Sequence, residues 1–317
     1  MTLTKVYPPL TNHYRQESAS YVTLDCMKDI RRDFPHLTRR GFLIAGGAAL
    51  TTAIALPDTP GCTLTSGQEE GPYYIDDETL RRNITEGRPG AAVLLSIRVM
   101  DAKRCTPIRN AAVDIWHCDA LGVYSGFTAN SPDGGPGGGP GGRRPGPPPE
   151  FRGNGGFGRG GPNGPRSRQT DATRFLRGVQ ITDERGFVEF ATLYPGWYSG
   201  RAIHIHLKVH IGGAAEENKY SAGHVAHTGQ LFFPEDITER VARLEPYAKR
   251  LEVHRTTQSE DGIFNSQHGA ECMLKTERVS KTDSEGFRAS ASVAIDPEST
   301  PAPVGGRGGR GFGGPPR

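Results

Sequence analysis

A predominance of either charge is what this 317-residue sequence most plainly lacks. It has 38 Lys and Arg against 35 Asp and Glu, a formal net charge of +3. No strong overall field therefore argues for nucleic acid or an anionic membrane surface as a partner. Cysteine is also scarce, and none of the five forms a C-x-x-C pair, which removes the usual cysteine zinc and thiol redox sites. Long hydrophobic runs are missing apart from Ile44 to Leu56. That run is too short to cross a bilayer comfortably, so no stable membrane span is expected.

Glycine and proline, by contrast, are abundant and uneven: 43 Gly and 25 Pro, concentrated in two segments. Residues 131–168 and the tail 301–317 are dominated by Gly, Pro and Arg, cannot bury apolar surface, and are expected to be disordered. The Gly-Arg repeats of the tail resemble RNA-binding segments, but a flexible solvated tail is the simpler reading. At the other end, Thr38-Arg39-Arg40-Gly41-Phe42-Leu43 precedes the uncharged run that Pro57 closes, the pattern of a twin-arginine export signal. The layout is thus a signal region over 1–58, one domain over 59–300 carrying the 131–168 insertion, and the tail. Export by this route leads to a periplasmic, extracellular or envelope-associated protein. Because the route carries folded proteins, it also suits one loaded with a cofactor. Cys62, after Gly61, is an alternative lipid-attachment site. In an oxidising compartment Cys105 and Cys118 are candidates for a bridge worth roughly 3 kcal/mol, the alternative being two buried thiols.

Within the domain, short apolar stretches alternate with turns. Ala92 to Met100, Ala112 to Cys118, Gly178 to Thr182 and Phe187 to Leu193 read as strands, the last two joined as a hairpin through Asp183-Glu184-Arg185-Gly186. Ile203 to Ile211 alternates along its whole length, and CMLKTERV and FRASASVAI add strands near the C-terminus. The fold class expected is all-β, a β-sandwich with a few short helices. One surface helix is predicted after Pro234, with Glu235 and Asp236 ahead of ITERVARLEPYAKR.

The alternation of Ile203 to Ile211 carries the chemistry. Ile203, Ile205, Leu207 and Val209 face one way and must be core, so His204, His206, Lys208 and His210 face the other. Two imidazoles about 7 Å apart along a strand can converge on one ion, although strand histidines are often merely structural. His117, His210, His224 and His227 are read in that structural way. Upstream, the turn-rich Tyr194-Pro195-Gly196-Trp197-Tyr198-Ser199-Gly200-Arg201 can bring Tyr198 back toward the histidine face. Tyr124 follows a strand and turn in DIWHCDALGVYSGF. Both tyrosines also have an ordinary role as rim residues.

Taken together, Glu70-Gly71-Pro72-Tyr73-Tyr74, DIWHCDALGVYSGF, FLRGVQITDERGFVEFATLYPGWYSGRAIHIHLKV and HTGQLFF resemble the intradiol ring-cleavage dioxygenases, from Glu70 to about Phe264. The resemblance implies a β-sandwich with one Fe(III) per chain held by Tyr124, Tyr198, His204 and His206. It also implies that Arg201 stabilises charge on the substrate and that Gln230 lies just behind the ligands. Such a site takes a small catechol- or hydroxyquinol-type molecule and O2. The diol binds as a dianion with Tyr198 as the ligand that leaves, and cleavage between the hydroxyl-bearing carbons yields a muconate-type diacid. These ligand types suit the ion, since a hard trivalent cation lowers a phenol's pKa from about 10 until it binds as phenolate. The helical dimerisation segment of catechol 1,2-dioxygenases has no room here, and homo-oligomerisation is left open. Competing readings are an exported metal- or phenol-binding sandwich without turnover, and a β-domain in which the His-x-His strand is only a half-buried edge.

Overall fold

The computed structural model describes residues 62–76, 79–133, 166–221, 223–302 and 304. The signal region, the body of the insertion and all but three residues of the tail lie outside these. In chain order the strands are β1 (Ala92–Asp101), β2 (Thr106–Pro107), β3 (Ala112–Trp116), β4 (Arg177–Ile181), β5 (Phe187–Leu193), β6 (His204–Ile211), β7 (Ala214–Glu216), β8 (Lys219–Ser221), β9 (His224–Phe232), β10 (Lys275–Arg278) and β11 (Phe287–Ile295). Two short helices, α1 (Glu235–Val241) and α2 (Gly262–Ser266), lie between β9 and β10.

Strict alternation in β1 buries Val93, Leu95, Ile97 and Val99 completely. Its neighbours are β11, parallel from Val93↔Phe287 to Asp101↔Ile295, and β5, antiparallel from Ala92↔Leu193 to Arg98↔Phe187. β2 and β10 complete this five-stranded sheet. The second sheet has the order β4-β3-β6-β9, and β7 pairs with β8 as a separate ribbon. Apolar faces of β1, β5 and β11 join those of β3, β6 and β9 in one core, the expected sandwich of open sheets.

Several local expectations are corrected. Asp183 to Gly186 does turn the chain, with Asp183 Oδ1 accepting from the N–H groups of Arg185 and Phe187 and Gly186 at φ 77°. It does not close a hairpin, however. β4 pairs with β3 and β5 with β1, so the turn crosses from one sheet to the other. The helix after Pro234 ends at Val241, and Ile237, Thr238 and Val241 are buried, so it is shorter and less superficial than predicted. Pro246 cannot donate to the carbonyl four residues back and would crowd it, so the helix cannot run on through Tyr247, where the chain resumes as a single 3-10 turn. The disulfide joins Cys105 to Cys62, with Cα atoms 5.4 Å apart. Cys118 is instead a buried free thiol donating to the Gly196 carbonyl. A sulfur bridged in this way cannot carry a lipid, which removes the attachment reading for Cys62.

The insertion is ordered at both ends. Asp133 accepts from the Ser199 N–H at 2.9 Å, and Arg166 pairs with Glu70 and Asp76.

Candidate metal centre

β6 is the centre of the second sheet, flanked by β3 and β9, and all of its residues but the last are buried, on both faces. The apolar face enters the core as predicted. The histidine face is buried too, because the segment from Gln68 to Tyr74 lies across it. Gln68 N–H donates to the Thr228 carbonyl, and the Gln68 side chain accepts from the Gln230 N–H at 2.7 Å. Glu70 meets Lys208 Nζ at 2.5 Å with both side chains at most 3% exposed, and Lys208 Nζ sits 3.5 Å from the centre of the Tyr74 ring. Gly71, at φ 73°, is so close to the His206 ring that a methyl group there would fall 3.0 Å from Cε1. Trp116, directly opposite His206 on β3, stacks on its other side with centroids 4.9 Å apart and planes 4° from parallel. His206 is therefore clamped in orientation by its neighbours.

The tyrosines arrive on loops with built-in turns. After β3, the Asp119 carboxylate accepts from the N–H groups of Leu121 and Val123, Gly122 adopts φ 74°, and the Tyr124 N–H donates to Ser131 Oγ. Between β5 and β6, Gly196 packs so tightly on the backbone of Asp119 and Ala120 that no side chain fits. The Trp197 indole donates to the Val253 carbonyl, and Gly200, at φ 91°, donates its N–H to Thr256. These constraints turn Tyr198 back toward β6.

The polar tips of the four predicted ligands form a chain. Tyr124 Oη lies 3.3 Å from Tyr198 Oη, Tyr198 Oη lies 3.3 Å from His204 Nε2, and His204 Nε2 lies 3.0 Å from His206 Nε2. All four side chains are buried. Burial pushes the Tyr124 hydroxyl well above the usual phenol range and raises Tyr198 as well, while it drives both imidazoles far below theirs. His204 Nδ1 donates to the Ala202 carbonyl at 2.6 Å, which leaves its Nε2 as a lone pair aimed at the cluster. His206 Nδ1 is buried without a hydrogen-bond partner. Two imidazole nitrogens 3.0 Å apart thus share at most one proton, and whichever tautomer His206 takes, one of its nitrogens is left unsatisfied or in repulsion.

A cation among the four tips would remove the conflict between the two Nε2 atoms, both of which could then present lone pairs. Donor separations of 3.0–3.3 Å match the edges of a coordination shell with bonds of about 2.0–2.1 Å. A high positive charge would also ionise phenols that otherwise keep their protons. The residues therefore fit Fe(III). Among the described residues no group of three or more His, Cys, Asp or Glu is arranged to hold a metal, so the phenols are indispensable to any such site.

Arg201 stands beside the cluster, its side chain 13% exposed. It donates through Nη2 to Gln230 Oε1 and through Nε to Asp261 Oδ2 at 3.1 Å, and its Nη1 lies 3.6 Å from Glu69. Gln230 is opposite His206 on β9 and donates its amide to the Glu69 carbonyl. Asp261, Glu69 and the Glu70–Lys208 pair were not singled out from the sequence. Lone acids in irregular segments give no periodic signal, and only Glu70, within the EGPYY stretch, could have been flagged. His117 is satisfied by the Cys118 carbonyl and Thr192, both at 2.7 Å, and His224 contacts the Pro297 carbonyl, in keeping with structural roles.

This fold and pocket define a dioxygenase-type β-sandwich, and the Dioxygenase_C family model, a dioxygenase description, matches residues 69–137. The solved structure of an intradiol ring-cleavage dioxygenase from Tetranychus urticae is 30% identical, with a TM-score of 0.58 over 76% of this chain and 98% of that one. A crystal structure described only as a dioxygenase matches with the same figures. No curated protein sequence matches. The chain belongs to the intradiol ring-cleavage dioxygenase family.

Proposed function

We propose that this chain is a ferric dioxygenase that opens catechol- or hydroxyquinol-type rings between the two hydroxyl-bearing carbons, giving muconate-type diacids. Tyr124, Tyr198, His204 and His206 would hold one iron per chain. The observation that carries the reading is the meeting of those four donor tips, separated by 3.0–3.3 Å, in a buried pocket of the family's fold. Bound Fe(III) would supply the Lewis acidity that turns the phenols into phenolates and ionises a bound diol.

The protein's own groups do the rest. Tyr198, at 9% exposure, is the less buried of the two tyrosines, so its Oη is the one suited to accept a proton from an incoming diol. Arg201, nearly buried, places a fixed positive charge beside it and offsets negative charge on the substrate as it reacts. Gln230 orients Arg201 by accepting from Nη2. The Trp116 ring, stacked on His206, fixes the orientation of that imidazole.

Export to an oxidising compartment is part of the same proposal. The Cys62–Cys105 disulfide supports it, and among the described residues no helix is long and apolar enough to cross a membrane. Metal analysis of the purified protein, with a catechol panel followed by oxygen electrode and for ring-opened product, tests the reading. It expects stoichiometric iron, a visible tyrosinate charge-transfer band that shifts with catechol, and O2 uptake that Tyr198→Phe strongly reduces. Iron and catechol binding without O2 consumption would instead establish a carrier. Full activity in iron-free protein would end the proposal.

A further inference from the structure

We propose that Asp261 is a positioning residue that sets the orientation of Arg201 and, through Ala202, of His204. The inference rests on the ferric dioxygenase reading above. Asp261 is completely buried, yet it precedes a helix of only five residues, so capping alone does not explain the number of groups gathered on it. Oδ1 accepts from the N–H groups of Ile263 at 2.8 Å and Phe264 at 3.1 Å. Oδ2 turns the other way and accepts from the Ala202 N–H at 2.9 Å and from Arg201 Nε at 3.1 Å, the same Nε lying 3.3 Å from Oδ1.

Ala202 is the link between the two functions. Its N–H is held by Asp261 while its carbonyl accepts Nδ1–H of His204 at 2.6 Å, the bond that points His204 Nε2 at the other three donors. One carboxylate therefore holds the start of the tetrapeptide Arg201–His204 from which both the cation and the first histidine project. The remaining edges of the guanidinium are taken by Gln230 and, at 3.6 Å, by Glu69. Of these three partners only Asp261 is a fully buried charge, whereas the Glu69 side chain is 26% exposed. Burial by itself would raise the Asp261 pKa, but the Arg201 charge and the N–H donors outweigh it and hold the carboxyl below its ordinary range, so it stays ionised. Asparagine at this position would keep an oxygen for the helix cap and nearly the same shape. It would lose the charge and the second acceptor, releasing the Ala202 N–H and leaving Arg201 Nε only the longer 3.3 Å contact to Oδ1.

The test separates positioning from capping. In iron-loaded protein, Asp261→Asn is expected to lower kcat by roughly 10- to 100-fold with little change in KM, the scale of a small misplacement of a catalytic group. Arg201→Gln should lower it at least as far, and the double variant should lose less than the product of the two single losses, the remainder being the part that acts through Ala202 and His204. Losses that multiply, or a D261N variant with wild-type kcat, would overturn the proposal. A second readout needs no iron. The Arg201 Nε–H proton, identified by NMR through its loss in Arg201→Lys, should exchange slowly in wild type and at least tenfold faster in D261N. Equal exchange rates would again overturn it. Should D261N fail to fold, Asp261→Ser, which also retains a capping oxygen, is put through the same two measurements. A wild type lacking iron and turnover would defeat the ferric reading, while the exchange experiment would still decide what holds Arg201.

Discussion

Glu70→Gln is expected to be among the most destabilising single substitutions in this protein, although it changes no atom count and touches no proposed ligand. Glu70 Oε2 lies 2.5 Å from Lys208 Nζ, with the side chains 1% and 3% exposed. Its other oxygen accepts from Arg166 Nε at 2.9 Å, and that arginine, at 24% exposure, reaches solvent. The amide preserves the shape but leaves the Lys208 ammonium buried against the Tyr74 ring without the Glu70 charge. Removing one partner of a buried pair typically costs about 3–5 kcal/mol, because the other charge is left uncompensated. For a domain of about 150–250 residues, each kcal/mol corresponds to about 2–4 °C, so the melting temperature should fall by about 6–20 °C. Guanidinium and thermal unfolding followed by the fluorescence of Trp116 and Trp197, both buried, would report it. Lys208→Met should cost less, since Glu70 keeps Arg166, and Glu70→Gln with Lys208→Met should regain much of the loss. An E70Q protein within about 1 kcal/mol of wild type would refute the reasoning, because it would mean that the buried Lys208 charge does not depend on Glu70.

Three further outcomes follow from the same geometry. Cys105→Ser opens a loop whose ends are 43 residues apart in sequence, and on the chain-entropy estimate should lower unfolding stability by about 4 kcal/mol. A reductant should lower the wild-type melting temperature comparably and leave the variant unchanged, and equal stability of the two proteins would sink the estimate. Burial holds His117 at a pKa of about 4, against 6.5 in the unfolded chain, so the unfolded state takes up its proton first as pH falls. Stability from this group is complete above pH 6.5 and is lost down to about pH 4, by up to about 3 kcal/mol, with His227 acting in the same window. The slope of unfolding free energy between those pH values should be shallower in His117→Gln, and an identical slope counts against it. Gly71→Ala forces φ 73° on a residue with a side chain, at about 1–2 kcal/mol, and pushes on His206. Gly87→Ala, at φ 71° with open space around it, carries the backbone cost alone. Iron should therefore dissociate faster from G71A than from G87A, and matching rates would show that Gly71 does not restrain the histidine.

Local pattern determined much of this molecule. The alternation of β1 and β11, whose apolar residues enter the core, was readable because a strand has a period of two whatever surrounds it. The same rule put His204 and His206 on one face of β6, and the Gly-rich run after Tyr194 announced a turn able to return Tyr198 to that face. Tertiary structure alone decided what covers that face and who pairs with whom. The strap from Gln68 to Tyr74 buries it, which turns four ordinary side chains into donors whose pKa values are displaced by burial. Disulfide partnership followed spatial proximity, joining Cys105 to Cys62, whereas closeness in sequence favoured Cys118. The turn at Asp183 has the same local form whether its strands pair or part, and only their pairing with β3 and β1 in different sheets separated them. Asp261 and Glu70 belong to the same class. A buried carboxylate is defined by the donors brought to it from distant segments, and those distances exist only after the chain has folded.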